Sequence, residues 1–487
     1  MSKLRLSVAD GLASVDATIG DTIERAVMLK HRRRLARHHS LQALAPDGGW
    51  WAHGEPPPRP GCELDVLIDG AQAFPAIAEA IRSAKRSVWV TGWHVAPHFE
   101  LVRGAEAQSV GALLAAAAEH VDVRVLVWAG APLPLFHPTR AEVSRAVAAL
   151  TRATRIRCEP DPREHPFHCH HEKTLVIDGR VAFVGGLDLT DLAGDRFDTA
   201  DHPARRRLGW HDVGTRLQGP AVADVASHFA LRWAELTGER LEVPEPEPGA
   251  GPHTVQVVRT IAEGMYDEVP DGDFRVLESY IRAIRHAERF IYLENQFLWA
   301  PEITKLLSDK LRTPPHDDFR LVVVLPHRAN NGQDDTLGQI AVLKDADIGD
   351  RLVVATLRSL TGEREDRLYV HAKVAVVDDR WLTIGSANLN AHSLFNDTEM
   401  NVVTDSADLA RETRIRLWAE HLQVDPAQIA DRDPCAVVDE LWKPITREQL
   451  ERRARGEPPT HPLLAMPGVS RRSRRLLGPL NQLIDDG

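Results

Sequence analysis

The stretch HEKTLVIDGRVAFVGG, His171 to Gly186, returns 200 residues later as HAKVAVVDDRWLTIGS, His371 to Ser386. Each copy reads as a strand, a tight turn and a second strand. A histidine, a lysine and an acidic residue share one spacing in both, H-x-K-x4-D: His171, Lys173 and Asp178, then His371, Lys373 and Asp378. Alternate residues of a strand point to the same face. His171 and Lys173 therefore project side by side, and Leu175 and Ile177 carry that parity into a packed layer. Asp178-Gly179 and Asp378-Asp379 open the turns, where an acid before glycine has ordinary hairpin chemistry. The second strands run into Gly185-Gly186 and Gly385-Ser386, small residues that let a phosphate approach the backbone.

The correspondence extends outward from this block. AKRSVWVTGW (Ala84 to Trp93) matches AERFIYLENQ (Ala287 to Gln296), each a helical pattern feeding a buried strand. VDVRVLVW (Val121 to Trp128) matches FRLVVVLP (Phe319 to Pro326), and FALRWAEL (Phe229 to Leu236) matches RLWAEHL (Arg416 to Leu422). Matching blocks in one order at nearly one offset indicate a duplicated domain, with a period far too long for a solenoid. The expected fold is α/β, with two similar halves in which helices cover mixed sheets. The halves are read as residues 61–240 and 254–425, joined by an extended linker, LEVPEPEPGAGPH (241–253). Residues 1–60 form a basic and Pro-rich extension, with KHRRRLARHH (Lys30 to His39) followed by GEPPPRPG (Gly54 to Gly61). Residues 426–487 form a tail with a second basic cluster, RRSRRLL (Arg471 to Leu477). Both basic runs read first as solvated faces, and anionic lipid is the sharper alternative.

Hydrophobic residues make up 43% and charged residues 26% of the 487, enough for a large core without staples. A net charge of −11 gives no support to bulk nucleic-acid binding. Cys62, Cys158, Cys169 and Cys435 are scattered, which fits a reducing compartment. No long apolar run reads as a transmembrane helix, and the first residues, MSKLRLSVADGL, lack a signal-peptide core. The expectation is a cytoplasmic monomer that reaches a membrane, if at all, peripherally at its inner surface.

Two copies of the motif supply two imidazoles and two ammonium groups. A neutral histidine can attack phosphorus, and a protonated one can supply the leaving alkoxide with a proton. Lysines can neutralise the non-bridging oxygens. One histidine or lysine on a strand is usually structural; recurrence carries the functional reading. His168, Cys169, His170 and His171 also crowd together like metal ligands. Consecutive strand residues face opposite ways, however, and no C-x2-C or H-x3-H partner is near. No metal and no cofactor are expected.

The twin motif resembles the phospholipase D superfamily over roughly residues 62 to 425. WHDV (Trp210 to Val213), YLENQF (Tyr292 to Phe297) and GSANLN (Gly385 to Asn390) resemble its eukaryotic-type members more than its nucleases. The resemblance implies halves of α/β/α type related by a pseudo-two-fold, an active site between them and a phosphohistidine intermediate. It implies that Asp212 and Glu399 orient the catalytic histidines. Asn388 fits the family position after the small-residue pair; Asp188 departs from it, since an acid there repels phosphate. Glu294 and Asn295 are expected to line the pocket. The implied reaction is hydrolysis of a glycerophospholipid at a membrane surface to phosphatidate and a free headgroup alcohol, with water or another alcohol as acceptor. The nucleophile is open between the two histidines, with His171 preferred. Rival readings are a cardiolipin-synthase-like phosphatidyltransferase, a nuclease and an inactive scaffold.

Overall fold

The apolar runs that recur in the sequence become strands of one mixed sheet. In the computed structural model, residues 22–466 are described, apart from 23, 134–135, 165–167, 244, 247 and 329–332. Arg471 to Leu477 and MSKLRLSVADGL therefore lie outside the described residues. The first half contributes β1 (Arg59–Ile68), β2 (Ser87–Gly92), β3 (Asp122–Trp128), β4 (Arg157–Asp161), β5 (Thr174–Ile177), β6 (Val181–Gly185) and β7 (Val213–Gln218). The second contributes β8 (His253–Ile261), β9 (Phe290–Glu294), β10 (Arg320–Val324), β11 (Leu352–Thr361), β12 (Val374–Val377), β13 (Trp381–Gly385) and β14 (Glu399–Thr404).

In space the first half runs β4-β3-β2-β5-β6-β7-β1. Antiparallel contact of β1 with β8 continues it into β8-β14-β13-β12-β9-β10-β11. The order has the same form from either end, with parallel pairs at both outer flanks and antiparallel pairs between. The pseudo-two-fold thus passes between β1 and β8. The expected α/β class, with mixed sheets and two like halves, is what the chain adopts.

Side-chain alternation divides the core into layers. Val88 and Val90 of β2 pack with Phe74 and Ile77 of α1 (Asp69–Ser83), while Trp89 between them faces Phe229 and Trp233 of α2 (Val222–Thr237). In the second half Ile291 and Leu293 of β9 pack with Ile281 and Ile284 of α3 (Arg275–His286). Phe290 and Tyr292 turn toward Trp418 of α4 (Ala407–Leu422). Strands buried on both faces need continuous apolar runs, which is why β3 and β10 read VRVLVW and RLVVV. The layer between α2 and α4 holds side chains of both halves in one cluster.

The basic run from Lys30 is divided in use. It lies on a helix over residues 24–37, with Lys30, Arg32, Arg33 and Arg37 exposed. Leu35 is buried, His31 Nδ1 lies 2.8 Å from Glu302 Oε1, and Arg34 bonds Glu263 and Asn396. One face therefore anchors this segment to the second half. The described residues among 241–252 have no regular structure and are mostly exposed.

A shared core and the β1–β8 contact should make the halves unfold together. Guanidinium denaturation followed by tryptophan fluorescence and by far-ultraviolet circular dichroism is expected to give one coincident transition. Trp418→Ala, with no exposed surface, should lower stability by about 3–5 kcal/mol. Two separated transitions would contradict the shared core.

Candidate active site

Each H-x-K segment lies just ahead of its strand, β5 or β12, rather than within it, and the opposite half pins it there. The amides of His171 and Glu172 both donate to Thr398 O, at 3.0 Å each, and the amide of His371 donates to His211 O at 2.8 Å. The residue after each pinning carbonyl is an acid. His171 Nδ1 lies 3.0 Å from Glu399 Oε1, and His371 Nδ1 lies 2.6 Å from Asp212 Oδ2. The orienting acids are thus exchanged: each half's histidine is held by the other half's carboxylate. A carboxylate at Nδ1 fixes the ring and leaves Nε2 for chemistry. The two imidazole centroids are 6.4 Å apart, which brings the copies into one site.

The lysines are buried beside them. Lys173 Nζ lies 3.3 Å from Asp188 Oδ2 and donates to His171 O. Lys373 Nζ donates to His371 O and, at 3.1 Å, to Gln296 Oε1. Burial lowers the Lys373 pKa to about 7, against the pull of Asp212. Burial raises Asp212 to about 6 and holds Glu399 well above the usual carboxylate range. Burial, together with Lys373, Arg196 and Lys173, keeps His371 well below the ordinary histidine value.

Several expected site residues serve other purposes. Asp178 and Asp378 sit at the far turns of β5 and β12 and take no part in the histidine cluster. Asp178, at φ +57°, accepts the amides of Lys85, Arg86 and Ser87; Asp378, at φ +54°, accepts those of Glu288, Arg289 and Phe290. The small residues make room for neighbouring protein atoms. A Cβ on Gly186 would lie 2.1 Å from Asp212 Oδ1, one on Gly185 2.4 Å from Gly214 Cα, and one on Gly385 2.1 Å from Asn401 Oδ1. Ser386 bonds Glu399 through Oγ, and its carbonyl lies 3.1 Å from His171 Nδ1.

Glu294 and Asn295 are both buried, and their carboxylate and amide oxygens are taken up by protein groups. Glu294 is buried between His211 Nε2 (2.9 Å) and His421 Nε2 (2.6 Å), and Asn295 Oδ1 accepts the amides of Phe297 and Leu389. The next residue, Gln296, reaches the site instead, where its Oε1 also accepts from Asn388 Nδ2 at 3.2 Å. Gln296 lies beyond the end of β9 at Glu294, so strand parity gives no signal for it. Trp210, whose ring centre is 4.6 Å from that of His371, and Tyr369 behind it complete the wall. The consecutive histidines diverge: His170 Nδ1 meets Thr398 Oγ1 at 2.8 Å, whereas His168 joins His392 and Asp397.

With this geometry in view, likenesses to known proteins fall into place. A family model described as "Phospholipase D" matches residues 80–209, and one described as "Cardiolipin synthase, PLD-like domain" matches residues 280–419; together they cover more than half the chain. Phospholipase D A of Dictyostelium discoideum is 26% identical, over 76% of this chain and 36% of its own length. Phospholipase D alpha 4 of Arabidopsis thaliana is also 26% identical, over 73% of this chain and 64% of its own. The chain thus spans less than two thirds of the length of either relative. The crystal structure of phosphatidylserine synthase from Haemophilus influenzae Rd KW20 aligns with a TM-score of 0.51 at 12% identity, covering 80% of this chain and 92% of that one. At that identity the likeness speaks to the fold alone.

Asp378→Ala removes an acceptor of three backbone amides, so it should lower stability by about 1–3 kcal/mol. Turnover per folded molecule is expected to stay near wild type. A selective collapse of turnover at unchanged melting temperature would restore Asp378 to the catalytic set.

Proposed function

The chain belongs to the phospholipase D superfamily, and on that premise we propose that it hydrolyses glycerophospholipids to phosphatidate and a free headgroup alcohol. One observation carries the reading: two imidazoles face each other 6.4 Å apart, each on an exchanged carboxylate, with a buried lysine beside each. One Nε2 attacks phosphorus, and the phosphorus–oxygen bond to the headgroup breaks. The other imidazolium gives its proton to the leaving alkoxide. That imidazole then takes a proton from water, whose oxygen displaces the histidine and releases phosphatidate. An alcohol in place of water gives transphosphatidylation. Lys173 and Lys373 offset charge on the non-bridging oxygens.

The surroundings of His371 favour its neutral form, which is the attacking form, so they lean against the preference for His171 as nucleophile. Acid-labile phosphate trapped on one of the two decides. We take residues 61–240 and 254–425 as the repeated unit. No described helix is long and apolar enough to cross a membrane, and we read the lipid as met at a bilayer surface. The match of residues 280–419 to a cardiolipin-synthase-type model supports phosphatidyl transfer as the second reading.

Phosphatidylcholine vesicles with EDTA should yield phosphatidate, and added ethanol should divert product to phosphatidylethanol. Neither product with any common headgroup would sink the lipid reading; loss of activity with EDTA would sink a reaction carried by side chains alone. His171→Ala and His371→Ala should each cost about 10³-fold or more, with little further loss in the double variant.

The pH dependence follows from the buried groups. Below about 6, Asp212 takes up a proton and no longer offers a charged acceptor to His371 Nδ1; above about 7, Lys373 loses the charge that meets phosphate. A bell-shaped kcat/KM with limbs near those values is expected, since that parameter reports the free enzyme. A profile flat from about pH 5 to 9 would contradict this assignment.

A further inference from the structure

Six described arginines are buried: Arg124, Arg196, Arg232, Arg275, Arg282 and Arg414. Five have a carboxylate within 3 Å: Asp122, Asp161, Asp273, Glu278 and Asp379 respectively. Arg196 is the exception among them. It is 2% exposed, its Nη2 donates to Leu192 O at 3.3 Å, and its Nε and Nη1 have no hydrogen-bond partner among the described residues. Leaving a guanidinium buried without an anion costs several kcal/mol, so its location decides what it is for. Its Cζ sits 3.8 Å from the centre of the Trp210 ring, whose centre is in turn 4.6 Å from that of His371.

Charge balance at the site points the same way. Asp188 stands where the family usually places a neutral asparagine, and it lies 3.3 Å from Lys173 Nζ, so one of the two motif lysines is already matched by an acid. Burial drives the other, Lys373, toward its neutral form. The expected pair of cations for the phosphate is thus depleted, and Arg196 is the permanently charged group nearby. Its positive charge also contributes to the low proton affinity of His371.

We propose that Arg196 is a phosphoryl-binding residue, whose free nitrogens hold a non-bridging oxygen of the substrate phosphate between the two histidines. This rests on the phosphodiesterase reading above. The arginine takes the place left by Asp188, and a planar fork suits tetrahedral oxyanions better than a point charge does.

The test uses the full chain, inorganic phosphate binding by calorimetry and turnover of bis(4-nitrophenyl) phosphate. Arg196→Met keeps the stem over Trp210 and removes the charge; Arg196→Lys keeps a charge and removes the fork. Both should weaken phosphate binding and raise KM, Arg196→Met by about 30-fold or more, as for loss of one partner of a buried charged hydrogen bond. Asp188→Asn in the Arg196→Met background should recover part of the loss, because it frees Lys173. Unchanged phosphate affinity in both variants, with only a lower melting temperature, would make Arg196 structural and overturn the inference, as would wild-type protein that binds no phosphate. If the wild type binds phosphate and Arg196→Met does not, but no diester or lipid is turned over, the anion site stands and the enzymatic reading falls.

Discussion

The exchanged imidazole–carboxylate bonds are the constraint on which the rest of the molecule depends. His171 with Glu399 and His371 with Asp212 each cross from one half to the other, so the histidines are correctly aimed only when the two halves of the sheet are in register. The β1–β8 contact, the common core between α2 and α4, and the pinning of His171 and His371 by Thr398 and His211 fix that register to within a hydrogen-bond length. Charged groups withdrawn from water are tolerated because their partners are preorganised.

Asp212 has a foundation of its own. Its amide donates to Asp69 Oδ1 at 3.2 Å, and its carbonyl accepts from the amide of Asp69. The same Oδ1 lies 2.9 Å from His211 Nδ1, while Glu294 joins His211 to His421. Burial alone would lower the His211 pKa, yet Asp69 and Glu294 raise it well above normal. WHDV and YLENQF therefore meet in one ion network under the site.

The fold was legible because its strands are buried on both faces and so write themselves as apolar runs, twice. The facing histidines were legible because H-x-K recurs. What stayed hidden depends on partners distant in sequence. Gly186 is small because of Asp212, and Glu294 is acidic because of His211 and His421; neither neighbour can be read from local spacing. Arg196 stands in no repeated block, and Gln296 closes one in which its counterpart is Trp93; burial with open hydrogen-bonding atoms singles out the first, and reach into the site the second. Asp178 and Asp378 show the converse: a perfectly recurring residue can recur for its turn, since each must adopt a positive φ and gather three amides.

The exchange also bears on the order in which the chain is made. A ribosome that has released residues up to 240 has made one histidine and lysine of the two pairs, but the acid that aims His171 is still untranslated. The finished half in turn holds Asp212 ready for a histidine that does not yet exist. Both exchanged pairs are therefore complete only when β14 brings Glu399 into place.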